Sequence, residues 1–286
     1  MTKKSAEELV FLALGGAGEI GMNLNLYGYG APDHYRWIMV DLGVTFGDGY
    51  PPGVDLIMPD PGYIVERRDQ LDGLVLTHAH EDHLGAVPYL WERLKCPIYA
   101  TPFTVSILKR KLQEAGLLDE VPIHEIELGG RFSIGSFDLE LITLTHSIPE
   151  PNAIAIRTPA GTVMHTGDWK LDPGPVLGAP ADEDVLKRVG DEGVLAIVCD
   201  STNVFQPGTS GSEADLFDSL KKLIFQCTQR VLVTCFASNV ARLETIAKAA
   251  HACGRDVVLA GRSLQRFTEA ARENGYLQDV PAFLDE

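Results

Sequence analysis

The sequence has few cysteines, and none of them forms the closely spaced pairs of a zinc ribbon or a thiol redox motif. The five are Cys96, Cys199, Cys227, Cys235 and Cys253. An odd number of scattered cysteines, most of them in apolar segments, is typical of buried thiols in a reducing compartment and not of a disulfide framework. We therefore expect a cytoplasmic protein.

Long apolar runs are also missing. None approaches the ~20 residues that a membrane-spanning helix requires. The apolar residues 10–14 follow Glu7 and Glu8 and form too short a run for a signal peptide, so they are interpreted as the first strand. We expect no association with a membrane.

Positive charge is scarce. The chain has 24 Lys and Arg residues against 40 Asp and Glu residues, for a formal net charge of −16. Proteins that hold nucleic acid by general attraction are normally basic, because phosphate contacts supply much of the affinity. If the substrate is RNA, a local cationic groove and bound metal ions must overcome the repulsion of the whole chain.

The size and the remaining composition are those of a globular protein. The 286 residues are 45% hydrophobic and 22% charged, which is enough to build one large or two ordinary domains.

Potential metal ligands are concentrated in residues 74–86, where a short apolar run leads into three histidines and an aspartate. These are His78, His80, Asp82 and His83. Four such side chains within six positions predict a metal site. The run joins a predicted strand to a predicted helix, and ligands at a strand end are rigidly held. Glu81 lies between the ligands and is expected to point away.

Residues 16–21 match the dinucleotide-binding pattern GxGxxG, but the residues after them do not fit it. That pattern must open a helix, whereas residues 22–29 alternate between apolar and polar as a strand does. The glycines are therefore interpreted as a tight loop between two antiparallel strands.

The first two thirds of the chain predict mainly strands. Further strands are expected at 36–40 and 97–100, a long loop at 42–62, a helix from Thr101, and hairpins over 125–146 and 153–165. A buried strand is expected at 194–198.

A different pattern follows residue 212. Helices are expected at 212–227, 238–253 and 263–274, and strands at 231–233 and 257–260, an alternation that predicts a parallel α/β unit. We place the boundary between two domains near residues 205–210.

Three further residues complete a candidate site. His146 and Asp168 each lie in a loop that follows a β segment, and Asp41 ends a predicted strand. In an HxHxDH run the first two imidazoles can bind one ion, which His146 completes, while the aspartate and last histidine face a second ion and Asp168 bridges. Two such ions lower the pKa of a shared water and stabilise displacement at phosphorus, so hydrolysis is the predicted reaction.

In this order these residues resemble the metallo-β-lactamase superfamily. Segments 14–23, 77–90, 145–149, 199–203 and 236–239 narrow the resemblance to the ribonuclease J family of its β-CASP branch, over essentially the whole chain. The resemblance implies an α/β fold in which an incomplete metallo-β-lactamase αββα sandwich, residues 1–207, is followed by the start of an inserted β-CASP α/β domain, residues 208–286.

The resemblance also implies roles for individual residues. The implied metal ligands are His78, His80 and His146 for one ion, Asp82 and His83 for the other, and Asp168 between them. Asp41 would orient a ligand imidazole, and Asp200 would lie near the leaving group. Ser238 and Asn239, at a helix N-terminus, suit a phosphate or the RNA backbone, and Phe46 could stack on a base.

The implied activity is metal-dependent hydrolysis of RNA. Members of the family act as 5′-to-3′ exonucleases on single-stranded 5′-monophosphorylated RNA and also as endonucleases, in maturation, including rRNA processing, and decay. Two divalent ions are implied. Zinc is the first choice for a histidine-rich site, and manganese is possible. The whole protein is expected to be a homo-oligomer.

The sequence departs from the family in lacking its later histidine motifs and C-terminal domain. We therefore expect the N-terminal portion of a longer protein, with an incomplete second metal site and little nuclease activity of residues 1–286 alone.

Other interpretations stay open. One is a hydrolase of the same fold acting on a small molecule, and another is a catalytically impaired RNA-binding or scaffold subunit. Asp41 alone could cap a strand, Phe46 could anchor a loop, and Ser238 and Asn239 could be helix caps. His165 is expected to be a packed, hydrogen-bonded residue.

Overall fold

The structure is a computed structural model that describes residues 6–49 and 52–284. Its strands are β1 (Glu8–Gly15), β2 (Leu24–Ala31), β3 (His34–Val40), β4 (Thr45–Phe46), β5 (Leu56–Ile57), β6 (Leu71–Val75), β7 (Ile98–Ala100), β8 (Ile123–Glu125), β9 (Arg131–Ile134), β10 (Phe137–Thr143), β11 (Asn152–Thr158), β12 (Gly161–His165) and β13 (Ala196–Val198). Its α-helices are α1 (Gly62–Val65), α2 (Glu81–Leu84), α3 (Val87–Leu94), α4 (Pro102–Ala115), α5 (Glu183–Glu192), α6 (Leu216–Gln226), α7 (Val240–Ala252) and α8 (Arg262–Glu273).

The first sheet has the strand order β1-β2-β3-β6-β7-β8. Its first three strands are antiparallel neighbours, whereas β3, β6, β7 and β8 run parallel. The glycine-rich segment 15–21 joins β1 to the antiparallel β2 and opens no helix. The interpretation of these glycines as a loop between two strands is confirmed, and the dinucleotide fold is excluded.

The second sheet has the order β13-β12-β11-β10-β9. Strands β9 to β12 form an antiparallel meander, and β13 lies parallel to β12 at the edge. The expectation of a buried strand at 194–198 is wrong in its burial, since Leu195 is 66% and Ile197 63% exposed. An edge strand is covered by a neighbour on one side only, so its side chains are less enclosed.

The two sheets pack face to face and helices cover their outer faces. Tyr27 and Ile38 of the first sheet meet Phe137 and Ile156 of the second in one buried cluster. Helices α3 and α4 cover the outside of the first sheet, and α5 covers the outside of the second through Val189. This αββα arrangement, followed by further helices, confirms the predicted fold class.

Helices dominate after residue 212. The predicted helices correspond to α6, α7 and α8, and α8 lies against α4, where Arg110 pairs with Glu273 at 2.5 Å. The strands expected at 231–233 and 257–260 are wrong, because the structure has no strand in either range. An isolated bridge from Val258 to Leu284 is the paired backbone of the second range.

The domain division at residues 207 and 208 stays a prediction. Within the described ranges, none of the helices has both the length and the hydropathy needed to cross a bilayer.

Candidate metal centre

All six predicted ligands lie at one edge of the sandwich, where strands of both sheets end. Residues 77–80 follow β6 and Asp41 follows β3, and these strands are parallel neighbours. His146 follows β10 and Asp168 follows β12, which run in the same direction because both are antiparallel to β11. Strand topology therefore brings together side chains that are up to 90 positions apart (from 78 to 168) in the chain.

Backbone hydrogen bonds hold the ligand-bearing helix α2 in place. The amide of Leu42 donates to the carbonyl of His83 at 2.7 Å, and the amide of Asn23 donates to the carbonyl of Asp82 at 3.0 Å. The Asn23 side-chain amide donates to the same Asp82 carbonyl at 3.0 Å. Asn23 was not singled out from the sequence as a site residue, because this contact joins positions 59 apart.

The first group of potential ligands consists of His78, His80, His146 and Asp168, with ligand atoms within 4.8 Å of one another. His80 Nδ1 lies 3.0 Å from His78 Nε2 and 3.2 Å from His146 Nε2. Asp168 Oδ2 lies 3.7 Å from His146 Nε2. Ligand atoms about 2.0 Å from a tetrahedral zinc ion are ~3.3 Å apart, so these four atoms have the spacing of a common coordination shell.

The second group consists of Asp82, His83 and Asp168. His83 Nε2 lies 3.5 Å from Asp82 Oδ2 and 3.2 Å from Asp168 Oδ1. The two oxygens of Asp168 therefore face different groups, as a bridging carboxylate requires. These are the two sets that the HxHxDH spacing predicts.

Asp41 lies behind the second group and is fully buried. Its Oδ2 accepts a hydrogen bond from His83 Nδ1 at 2.7 Å, while its two oxygens also accept from the Thr77 amide and hydroxyl at 2.8 and 2.9 Å. The bond to Nδ1 leaves Nε2 of His83 directed at Asp82 and Asp168. Thr77 was not singled out from the sequence, although its place before the first histidine is a usable signal.

The three histidines of the first group are held neutral. Burial lowers the pKa of His78 and that of His146, and it lowers the pKa of His80 to about 3, with neighbouring imidazoles adding to the effect. A neutral imidazole has a free lone pair for a metal ion. The donor set is therefore in the protonation state that a divalent cation requires.

The carboxylates of the second group are ionised. Burial opposes ionisation, but the hydrogen bonds and charge of His83 lower the pKa of Asp82 and that of Asp168 well below the usual range. Burial would lower the pKa of His83, yet Asp41 and the two ligand carboxylates raise it. Geometry and donor chemistry together fit a divalent-metal site at both groups.

A cleft of about 490 Å³ opens beside the second group. Its lining includes Asp82, His83, Asp168 and Asp200, together with the glycine-rich loop 16–21. Asp200 is half-buried there and accepts a hydrogen bond from the Thr202 amide at 2.9 Å. The cleft is large enough to admit a substrate group next to the candidate ligands.

Other predicted residues lie elsewhere. Phe46 is 64% exposed and is not among the residues that line this cleft. Asn239 caps α7 by accepting from the Arg242 amide at 2.8 Å, and Ser238 precedes it. Glu81 points away from the ligands and pairs with Lys111 at 2.6 Å. His165 is buried and lies 2.9 Å from the hydroxyl of Tyr27, as a packed, hydrogen-bonded residue does.

Two family profiles match the chain. Residues 36–190 match the β-lactamase superfamily domain, and residues 228–285 match the β-CASP domain of ribonuclease J. The first match covers the six candidate ligands.

Curated relatives extend the similarity over nearly the whole chain. Ribonuclease J of Sinorhizobium meliloti is 50% identical over 280 residues, covering 98% of this chain and 50% of the relative. Ribonuclease J2 of Bacillus subtilis is 33% identical over 278 residues, covering 97% of this chain and 49% of the relative. The chain thus spans about half the length of these curated relatives.

Similarity to a solved structure supports the fold. A protein of unknown function from Enterococcus faecalis superimposes with a TM-score of 0.63 at 18% identity, over 92% of this chain and 68% of that one.

Proposed function

The chain belongs to the β-lactamase superfamily, in its ribonuclease J branch, and on that premise we propose that it is part of a metal-dependent ribonuclease that hydrolyses RNA phosphodiester bonds. The observation that carries the proposal is the pair of ligand groups sharing Asp168, in a chain 50% identical to a ribonuclease J. A β-CASP match after residue 227 favours RNA over a small-molecule substrate.

We propose His78, His80 and His146 as ligands of one ion, Asp82 and His83 as ligands of a second, and Asp168 as the bridge. When bound, the two ions would stabilise the charge that develops at phosphorus and lower the pKa of an attacking water. Zinc is the first choice for the histidine-rich group, and manganese is the alternative.

The chain's own residues prepare this site before any substrate arrives. Asp41 holds His83 by its Nδ1 atom, so that Nε2 stays directed at the cleft. Burial keeps the other three imidazoles neutral and available. Asp200, which lines the cleft, is proposed to act near the leaving group.

We further propose single-stranded RNA with a 5′-monophosphate as the substrate, cut by 5′-to-3′ exonuclease and endonuclease action during RNA maturation and decay. Ser238 and Asn239 at the start of α7, and Phe46 in its exposed loop, are the proposed RNA contacts. The location is proposed to be cytoplasmic, and the whole protein a homo-oligomer. With a net charge of −16, RNA binding must depend on the metal ions and on local contacts.

The decisive experiment compares His80→Ala with His251→Ala in the protein as its gene encodes it. His251 is exposed on α7 and is not one of the candidate ligands. We expect His80→Ala to lower the rate of hydrolysis of 5′-monophosphorylated RNA at least ~100-fold, because metal-dependent charge stabilisation is removed, and His251→Ala to leave it unchanged. RNA turnover that survives His80→Ala would remove the proposal, and turnover of a small ester or lactam in place of RNA would replace it.

A further inference from the structure

A buried carboxylate outside the six candidate ligands has no role in the proposed chemistry. Glu150 lies four positions after His146, is 5% exposed, and has a φ of 58°. Positive φ is uncommon for a residue with a side chain. Such a conformation persists only where the surroundings hold it.

The Glu150 side chain joins the His146 loop to α4. Its Oε2 accepts a hydrogen bond from the Phe103 amide at 2.8 Å, in the first turn of that helix. Thr101, the N-cap of α4, makes no side-chain cap bond to the helix and instead hydrogen-bonds with the Glu150 side chain. The orphan donors of this helix N-terminus are thus satisfied by a residue 47 positions away.

The other oxygen of Glu150 reaches the region that follows α8. Glu150 Oε1 accepts a hydrogen bond from the Tyr276 hydroxyl at 3.2 Å. The Tyr276 ring stands edge-on to that of Phe103, with centroids 6.3 Å apart. One carboxylate therefore connects three segments: the His146 loop, α4, and the chain beyond α8.

Two further contacts converge on the same place. The Ala241 amide in α7 donates to the carbonyl of Ser147, the residue after His146, at 3.2 Å. Helix α4 also pairs Lys111 with Glu81, inside the run that carries the other ligands. Helix α4 thus supports both ligand segments.

A carboxylate is an expensive residue for this place. Burial raises the pKa of Glu150 and the negative charge of Glu125 raises it further, while the hydrogen bonds from Phe103, Thr101 and Tyr276 oppose the shift. Without those donors an ionised carboxyl would not be tolerated here. A helix cap alone requires only a local Ser, Thr, Asp or Asn.

We propose that Glu150 is a positioning residue for the first ligand group: it fixes the loop that carries His146 against α4, and through Tyr276 it ties that placement to the region beyond α8. The inference rests on the proposed function only in taking His146 as a metal ligand.

The test measures zinc affinity of the 286-residue chain by competition with a chromophoric chelator, using the first equivalent of Zn²⁺. Residues that orient metal ligands typically change affinity 10- to 100-fold, so we expect Glu150→Ala to weaken binding at least ~10-fold. Glu150→Gln retains an acceptor for Phe103 and a donor for Tyr276, and is expected to stay within about threefold of the unmodified chain.

Matched controls separate positioning from general loss of stability. Val189→Ala removes packing from the buried cluster under α5, away from the site, and is expected to leave zinc affinity unchanged. Tyr276→Phe is expected to weaken binding roughly threefold, whereas Tyr35→Phe, whose hydroxyl bonds to Glu8, has no effect. Zinc affinity in Glu150→Ala equal to that in Val189→Ala would overturn the proposal.

A measurement without metal distinguishes the two hypotheses. Amide hydrogen exchange of the metal-free chain is expected to be faster over residues 144–152 in Glu150→Ala than in Val189→Ala, because the loop loses its fastening. Equal protection in the two variants overturns the positioning role. Faster exchange in a chain that binds no zinc would support that role and reject the proposed metal site.

Discussion

Two histidines of the same run have opposite electrostatic surroundings. His80 is enclosed with two other imidazoles, and burial lowers its pKa to about 3. His83 is equally enclosed but contacts Asp41, Asp82 and Asp168, which raise its pKa despite burial. The same residue type therefore serves as a neutral donor in one group and as a partner of carboxylates in the other.

His165 provides a pH prediction for stability. Burial lowers its pKa to about 4, from an ordinary value of 6.5. Between these values the unfolded chain binds more protons than the folded chain, so stability falls as the pH falls. We expect this residue alone to lower the free energy of unfolding by about 2 kcal/mol between pH 7 and pH 5.

Chemical denaturation at the two pH values measures this contribution. In His165→Gln the loss between pH 7 and pH 5 should be smaller by that amount, although the loss of the Tyr27 contact costs about 1 kcal/mol at both pH values. His34→Gln, at an exposed position on β3, is the control and should not alter the pH dependence. An unchanged pH dependence in His165→Gln would contradict the assignment of His165 as a buried neutral group.

At the scale of elements, the turn after β3 and the ligand helix α2 are in direct backbone contact. A Cβ atom on Gly43 would overlap the carbonyl group of Asp82. Backbone cannot move aside as a flexible side chain does, so Gly43→Ala must displace α2 or the turn. We expect a loss of at least about 2 kcal/mol in the free energy of unfolding and weaker zinc binding.

The matched control is Gly174→Ala. A Cβ atom there would have no heavy atom within 4 Å, so stability and zinc affinity should be close to those of the unmodified chain. Thermal unfolding and zinc titration of both variants provide the comparison. Normal zinc binding in Gly43→Ala would show that the close approach does not position the ligands.

Elements were predictable where their signal is local. The alternation after the glycine-rich loop predicts β2, and Thr101 with Pro102 predicts the start of α4. The strands expected at 231–233 and 257–260 fail because a strand needs a neighbour to pair its backbone groups, and Leu232 is 85% exposed. Helix α5 was not predicted, although Asp182 caps it by accepting from the Val185 amide at 3.0 Å.

The site divides in the same way. Spacing predicts the two ligand groups, because ligand chemistry and strand ends are visible in the sequence. The supporting contacts are not visible, since Glu150 meets Tyr276 across 126 positions and Asn23 meets Asp82 across 59. Contacts of this kind depend on the folded arrangement of several elements, which no local pattern contains.

At the scale of the whole molecule, the acidic charge makes bound cations part of the stability of the fold. The chain carries a net charge of −16, and Asp82 and Asp168 are ionised within one small cluster. Divalent cations should therefore bind the folded chain far better than the unfolded chain, which has no preformed site.

Thermal unfolding with and without Zn²⁺ measures this linkage. Free zinc at 100 times its dissociation constant stabilises the folded state by ~2.7 kcal/mol, which for a chain of 286 residues raises Tm by about 5 °C. The increase should disappear on adding EDTA and in His80→Ala, and should persist in His251→Ala. An equal increase in His80→Ala would mean that zinc acts at surface carboxylates, since that variant keeps every acidic residue and lacks only one imidazole of the first group.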